Sequence, residues 1–329
     1  MYTNALLAIA LAISPLASAS CLHGTSLMKR EIQSGGKVKV AEFGYTGTLG
    51  PLNWANLGTG NAQCATSKVQ SPINIDSKIP LAKEIPVIDF PNVEAAEFEN
   101  LGSTVEVIVN GTTTFGGKEF GLKQYHFHTP SEHRIAEEYF PLEMHMVHEA
   151  KDGSGAIVVL AATFDISETC TTDLLTQTVK NIKEIAVPGT VTETGPLNFT
   201  QLVEHVKVNG LFQYEGSLTT PPCKEGVTFL ITQRPLPINV ATYNAMKSVM
   251  KFNARYTQNT PGEPNLIEIA AGGLSAPPAE SSTVSEAPVA TEAPAETPVA
   301  TEPSTSATPI AEGVDNTLVL KPVVAAGHQ

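Results

Sequence analysis

The chain has 329 residues, with 20 basic and 33 acidic side chains, a formal net charge of −13 and a pI near 5.1. That balance excludes a nucleic-acid binder working through a basic patch. With 42% hydrophobic and 16% charged residues beside 25 Gly and 24 Pro, the average fits one large globular domain, or two small ones with loop-rich material attached.

Residues 1–20 carry no charge; Ala5 to Ile13 is apolar, and Pro15 precedes the small residues Ala17-Ser18-Ala19. This reads as a secretory signal peptide, since the apolar run is shorter than the about 20 residues a spanning helix needs. Residues 21–273 are long enough for a single well-buried domain. Within them, short β-rich runs lie between Gly, Pro and Asn turn signals: Thr104 to Val109, Lys123 to His128, Leu142 to His148, Ala156 to Phe164 and Val227 to Thr232. Helical periodicity is confined to Leu174 to Ile185 and Val240 to Met250, so the expected architecture is mainly β with a few short helices. From Leu274 the composition shifts to Ser, Thr, Pro, Ala and Glu, and Pro288-Val289-Ala290-Thr291-Glu292 recurs as Pro298-Val299-Ala300-Thr301-Glu302. Such a tail cannot bury a core; it reads as a disordered stalk, suited to O-glycosylation and to cell-wall or cell-surface association. It holds seven acidic residues and one Lys, so −6 of the −13 belongs to it and −7 to the domain.

Four cysteines, Cys21, Cys64, Cys170 and Cys223, in a secreted chain suggest two disulfides with three possible connectivities. Asn110-Gly111-Thr112 and Asn198-Phe199-Thr200 fit the N-glycosylation pattern in turn-like contexts, so Asn110 and Asn198 are expected at the surface.

Five of the eight histidines fall between positions 126 and 148. On a strand, side chains at i and i+2 share a face, so His126 and His128 project together, as do Glu143, His145 and Val147 in the second run. Antiparallel pairing of the two runs brings three imidazoles to one point. Three neutral imidazoles leave Zn²⁺ its full charge and an open fourth position, the arrangement of a catalytic site. Gln124 and Glu143 each lie two residues before a ligand, on its face, where each can accept the Nδ1 proton of a neighbouring His. Metal ligation through Glu132, in a cupin-like His126-x-His128-x-x-x-Glu132, is the rival metal chemistry, but the glycines and second motif it requires are absent.

Gln124-Tyr125-His126-Phe127-His128, Ser131-Glu132-His133, Glu143-Met144-His145-Met146-Val147-His148 and Gly216-Ser217-Leu218-Thr219-Thr220-Pro221-Pro222 together resemble the α-class carbonic anhydrases. Gln70-Ser71-Pro72-Ile73-Asn74-Ile75 and Phe43-Gly44-Tyr45 extend the similarity over Phe43 to Gln258. The resemblance implies a single domain around a large, twisted, mostly antiparallel mixed sheet, with one catalytic Zn²⁺ on His126, His128 and His145. It implies reversible hydration of CO2 to bicarbonate and a proton by attack of zinc-bound hydroxide. Glu132 and Thr219 match the family's orienting pair, Thr219 and Thr220 its bicarbonate contacts, and Val147, Val159, Leu218, Val227 and Phe229 its CO2 wall. Gln124, Glu143 and the backbone carbonyl of Asn253 match the groups that hold the ligands. Ser103 stands where many members place a proton-shuttling His. A Cys64–Cys223 bridge is also implied, leaving Cys21 and Cys170 as the remaining pair. An inactive, cell-surface binding module of the same fold is the alternative; its signature, a lost zinc ligand, is absent. The oligomeric state is not readable from the sequence.

Overall fold

A computed structural model describes residues 22–33 and 37–275, which belong to one compact unit. The expected signal peptide and nearly all of the expected tail lie outside the described residues.

In chain order the strands are β1 (Ile32–Gln33), β2 (Lys37–Val38), β3 (Asn74–Ile75), β4 (Val87–Asp89), β5 (Glu97–Asn100), β6 (Val105–Phe115), β7 (Lys118–His128), β8 (Arg134–Ile135), β9 (Leu142–Ala150), β10 (Ile157–Ile166), β11 (Val191–Glu193), β12 (Leu211–Ser217), β13 (Glu225–Thr232) and β14 (Leu236–Ile238). Ten of them form one mixed sheet, ordered β11-β5-β6-β7-β9-β10-β13-β12, with β4 beside β6 and β14 beside β10. Pairing is antiparallel except where β10 meets β13 and β14. The helices are α1 (Gln63–Thr66), α2 (Asp173–Thr178), α3 (Thr200–Asn209), α4 (Val240–Met250) and α5 (Leu266–Ser275). The last of these carries helix past residue 273, where the domain was expected to end.

Each sequence run expected to be a strand shares one end, to within a residue, with a longer strand. β6 and β7 join through Gly116-Gly117, both at positive φ (60° and 71°), a two-residue turn whose handedness matches strand twist. Asn110 is exposed but sits inside β6, beside a register shift between Ile108 and Gly111, rather than in a turn. Asn198 is exposed just before α3, where its side chain accepts from the Thr200 N–H. β9 is buried at every position because both faces of the central sheet are covered. On one face Tyr125, Phe127, Met144, Met146, Leu160 and Leu230 join the main core, against side chains of α2, α3 and α4. The opposite face holds Val147, Val159, Val227 and Phe229.

α4 has the expected bounds, with the Asn239 side chain capping its Thr242 N–H at 2.8 Å. The other expected helix divides: α2 gives way to a 3₁₀ segment, Val179–Ile185, that breaks at Asn181. Thr178 hydrogen-bonds the Leu174 carbonyl and the Tyr125 hydroxyl, and such back-bonding bends a helix. α3 was not expected. Only Leu202 and Val206 are buried on it, too few apolar positions for a visible period.

The Cys64–Cys223 disulfide closes a loop of 159 residues. By the chain-entropy relation a loop of that length stabilises by about 5 kcal/mol. Cys170 is exposed and has no disulfide partner among the described residues; Cys21 lies outside them. Leu22 packs near Ile157, at one end of β10, whereas Cys170 follows the other end at Ile166. The Cys21–Cys170 pairing expected from the sequence falls outside the described residues.

Candidate active site

Strand register assembles the site. β7 and β9 pair so that His126 faces His145, and on the other side of β7 Glu106 of β6 faces His126. Alternation places His126, His128, His145 and Val147 on the sheet face away from the main core, and β10 and β13 continue it with Val159 and Phe229. One ring nitrogen from each of His126, His128 and His145 lies within 4.8 Å of the others, and all three rings are buried.

The opposite nitrogens are held by separate acceptors. His126 Nδ1 meets Gln124 Oε1 at 2.9 Å, His128 Nδ1 meets the Asn253 carbonyl at 2.9 Å, and His145 Nε2 meets Glu143 Oε1 at 2.8 Å. The nitrogens that face one another are therefore Nε2 of His126 and His128 but Nδ1 of His145, so His145 presents the other ring nitrogen from its two neighbours, and the Nδ1 proton that Glu143 accepts is that of His133. His128 Nε2 is buried with no hydrogen-bond partner among the described residues, an orphan that a cation would satisfy. Burial, reinforced by the neighbouring imidazoles, depresses the pKa of His126 well below its usual value and that of His128 to about 3. Burial also lowers His145. Three neutral nitrogen donors result, the form that binds metal.

Glu143 is the hub. Its Oε2 accepts the backbone N–H groups of Glu132 and His133, each at 2.8 Å, and its Oε1 accepts His133 Nδ1 at 2.6 Å as well as His145 Nε2. Burial alone would raise its pKa, but His133, His145 and these bonds hold the carboxyl well below the usual range. Because the carboxylate only accepts, both ring nitrogens facing it carry protons. His133 Nε2 continues to the Tyr214 hydroxyl at 2.7 Å, which meets Ser71 Oγ at 2.7 Å. Gly216 makes this approach possible: a Cβ there would stand 2.2 Å from Ser71 Oγ and 2.7 Å from the Tyr214 ring. The His133–Tyr214–Ser71 chain was not anticipated, although His133 lies within a quoted motif.

Glu132 Oε1 accepts the Arg255 N–H at 2.9 Å, and the Thr219 hydroxyl also bonds this carboxyl. Glu132 Oε2 lies 3.4 Å from His128 Nε2 and 4.0 Å from His145 Nδ1. Burial pushes the Glu132 pKa well above the carboxylate range, opposed by the Thr219 and Arg255 bonds; a dication at the imidazoles favours the ionised form. Arg255, also unanticipated, is buried, and its guanidinium reaches the Ser71 carbonyl and Gln70 Oε1. Thr219 and Thr220 are fully buried, and Thr220 Oγ1 has no hydrogen-bond partner among the described residues. Leu218 and Val227 join Val147, Val159 and Phe229 in one apolar cluster beside the imidazoles. Ser103 is buried, and its carbonyl accepts from the Asn253 side chain.

The chain is similar to known proteins. The structure is similar to that of the fungal α-carbonic anhydrase from Aspergillus oryzae, at 43% identity and TM-score 0.67, over 70% of this chain and 98% of that one. A carbonic anhydrase of Pectobacterium atrosepticum is 30% identical over 226 residues, covering 68% of this chain and 87% of its own. Dioscorin dioA3 of Dioscorea japonica is 26% identical over 223 residues, covering 65% and 79%. The family model for eukaryotic-type carbonic anhydrase matches residues 49–263, a span that includes every residue of the histidine site, and the chain belongs to that family.

Proposed function

We propose that this chain catalyses the reversible, zinc-dependent hydration of CO2 to bicarbonate and a proton. The carrying observation is the convergence of three buried imidazoles whose far nitrogens are each held by an acceptor, with one facing nitrogen left orphaned. Zinc bound there supplies Lewis acidity that makes water nucleophilic at neutral pH. Gln124, the Asn253 carbonyl and Glu143 fix the ring tautomers, so each ligand nitrogen presents a lone pair.

The Thr219 hydroxyl donates its proton to Glu132. Its oxygen is then left to accept a proton from the attacking water, which orients the nucleophile. Arg255 keeps Glu132 in place through its backbone N–H. CO2 has no dipole, and the wall of Val147, Val159, Leu218, Val227 and Phe229 excludes water from the space it would occupy. The Thr220 hydroxyl, buried without a hydrogen-bond partner among the described residues, and the Thr219 amide would bind a bicarbonate oxygen. An inactive binding module accounts less well for a complete ligand set with its supports intact. The Cys64–Cys223 bridge suits an oxidising, extracellular location, and no described helix is long and apolar enough to cross a membrane.

The test is zinc analysis with stopped-flow CO2 hydration on wild type, chelated protein and His145→Ala. Loss of zinc and of rate together is expected; a His145→Ala chain with full zinc and undiminished hydration refutes the assignment.

A further inference from the structure

The segment Leu22 to Arg30 lies across the metal-bearing face of the sheet. Leu22 is buried in the apolar cluster with Leu218 and Val227. His23 Nδ1 meets Glu106 Oε1 of β6 at 2.6 Å, beside His126. The Ser26 N–H and hydroxyl both bond the Glu149 carboxylate on β9, and Arg30 pairs with Glu97 and Glu99 on β5. These contacts reach β5, β6, β9 and β13, so the segment bridges the face beside the three imidazoles.

His23, Glu99 and Glu106 also bring ligand atoms within 4.8 Å of one another. Arg30 on Glu99 and His23 on Glu106 already supply cationic or donor partners, which makes the cluster a latch for the segment rather than a vacant cation site. With His23 only 3% exposed, its ring is also badly placed to pass protons to bulk water.

We propose that Leu22–Arg30 is an inhibitory prosegment, and that Lys29-Arg30 is its processing site for a protease whose subsites recognise paired basic residues. This rests on the CO2-hydration reading of the site beneath it. The cut adds water across the Arg30–Glu31 amide, leaving a carboxylate on Arg30 and an ammonium on Glu31. Lys29 and Glu31 to Gln33 are exposed, and β1 pairs with β2 through only two residues, so local opening needed for cleavage disturbs little structure. Downstream, the chain is anchored again where Val38 N–H donates to the Gly189 carbonyl and Ala41 N–H to that of Leu101. A cut after Arg30 therefore leaves the domain intact while its tethered inhibitor becomes a separate peptide. The high effective concentration that kept the segment docked is lost, and it leaves by dilution.

The test uses the full zinc-loaded chain, treated with a protease specific for paired basic residues, beside Glu31→Pro, which retains both cations but makes the scissile bond an imide. Intact mass should show one cut after Arg30 in wild type only. CO2 hydration and zinc loss to a chelator should each rise at least tenfold in the cut chain, and Leu22→Asp in the Glu31→Pro background should reproduce the rise without cleavage. Refusal of the native chain to be cut, or zinc loss and hydration within twofold before and after cutting, overturns the proposal. Faster zinc loss without hydration in either form refutes the functional reading and leaves the prosegment standing.

Discussion

Replacing Glu143 by Gln isolates the group on which the site turns. The carboxylate receives four donors: the Glu132 and His133 amides on Oε2, and the His133 and His145 rings on Oε1. Glutamine offers one acceptor oxygen and an NH2. The two backbone N–H groups cannot reverse polarity, so the amide oxygen turns to them and the NH2 faces the two rings. His145 can then accept only by giving up the proton on Nε2, and that proton moves to Nδ1, the nitrogen left for the metal. Hydrogen bonds to charged groups contribute about 1.5–3 kcal/mol each, and loss of an outer support for a metal ligand typically costs about 10–100-fold in affinity. Removing a buried charge offsets part of the structural loss, so the expected outcome is a zinc Kd raised about 10–100-fold with a stability loss of about 2 kcal/mol. Chelator competition at pH 7.5 measures the first and urea unfolding of the metal-free protein the second. A zinc Kd within twofold of wild type refutes the tautomer argument.

Two further outcomes follow from single residues. His148 is buried, and burial lowers its pKa to about 4 against the hydrogen bonds it donates to backbone carbonyls. The unfolded chain therefore takes up a proton below pH about 6.5 that the folded chain refuses until about 4, so stability falls with pH across that window, by about 2 kcal/mol between pH 7 and 5; urea midpoints of His148→Gln that track wild type across the same range would show the linkage lies elsewhere. Ser103 carries no group that titrates near neutrality, so turnover of the active chain should climb with buffer concentration in stopped-flow hydration, and fast, buffer-independent turnover would contradict this.

The metal-binding triad was legible because strand alternation is local. His126-x-His128 shares a face whatever the rest of the chain does, and Gln124 and Glu143 inherit theirs by the same period of two. The main strands were legible for the same reason, although one end of each was not, since hairpin length depends on turns such as Gly116-Gly117 and on burial of the partner strand. The two helices show the boundary of local reasoning. Val240–Met250 ends where its cap and pattern place it, whereas the run after Leu174 divides after Thr178, whose hydroxyl bonds back to the Leu174 carbonyl and across to Tyr125 on a distant strand.

Contacts across long stretches of chain had no signal of that kind. Glu143 serves both His145 and His133 only because the loop after β7 folds back over β9, and the Asn253 carbonyl reaches His128 across 125 residues. Arg255, Tyr214 and Ser71 are ordinary polar residues until packing removes their water and each must find a partner inside. The segment Leu22–Arg30 is the clearest case. Nothing in its composition marks an inhibitor; its role rests on where the sheet sets Glu106, Glu149 and Glu99, because periodicity within a segment states which side chains share a face, and only the packed chain states what that face meets.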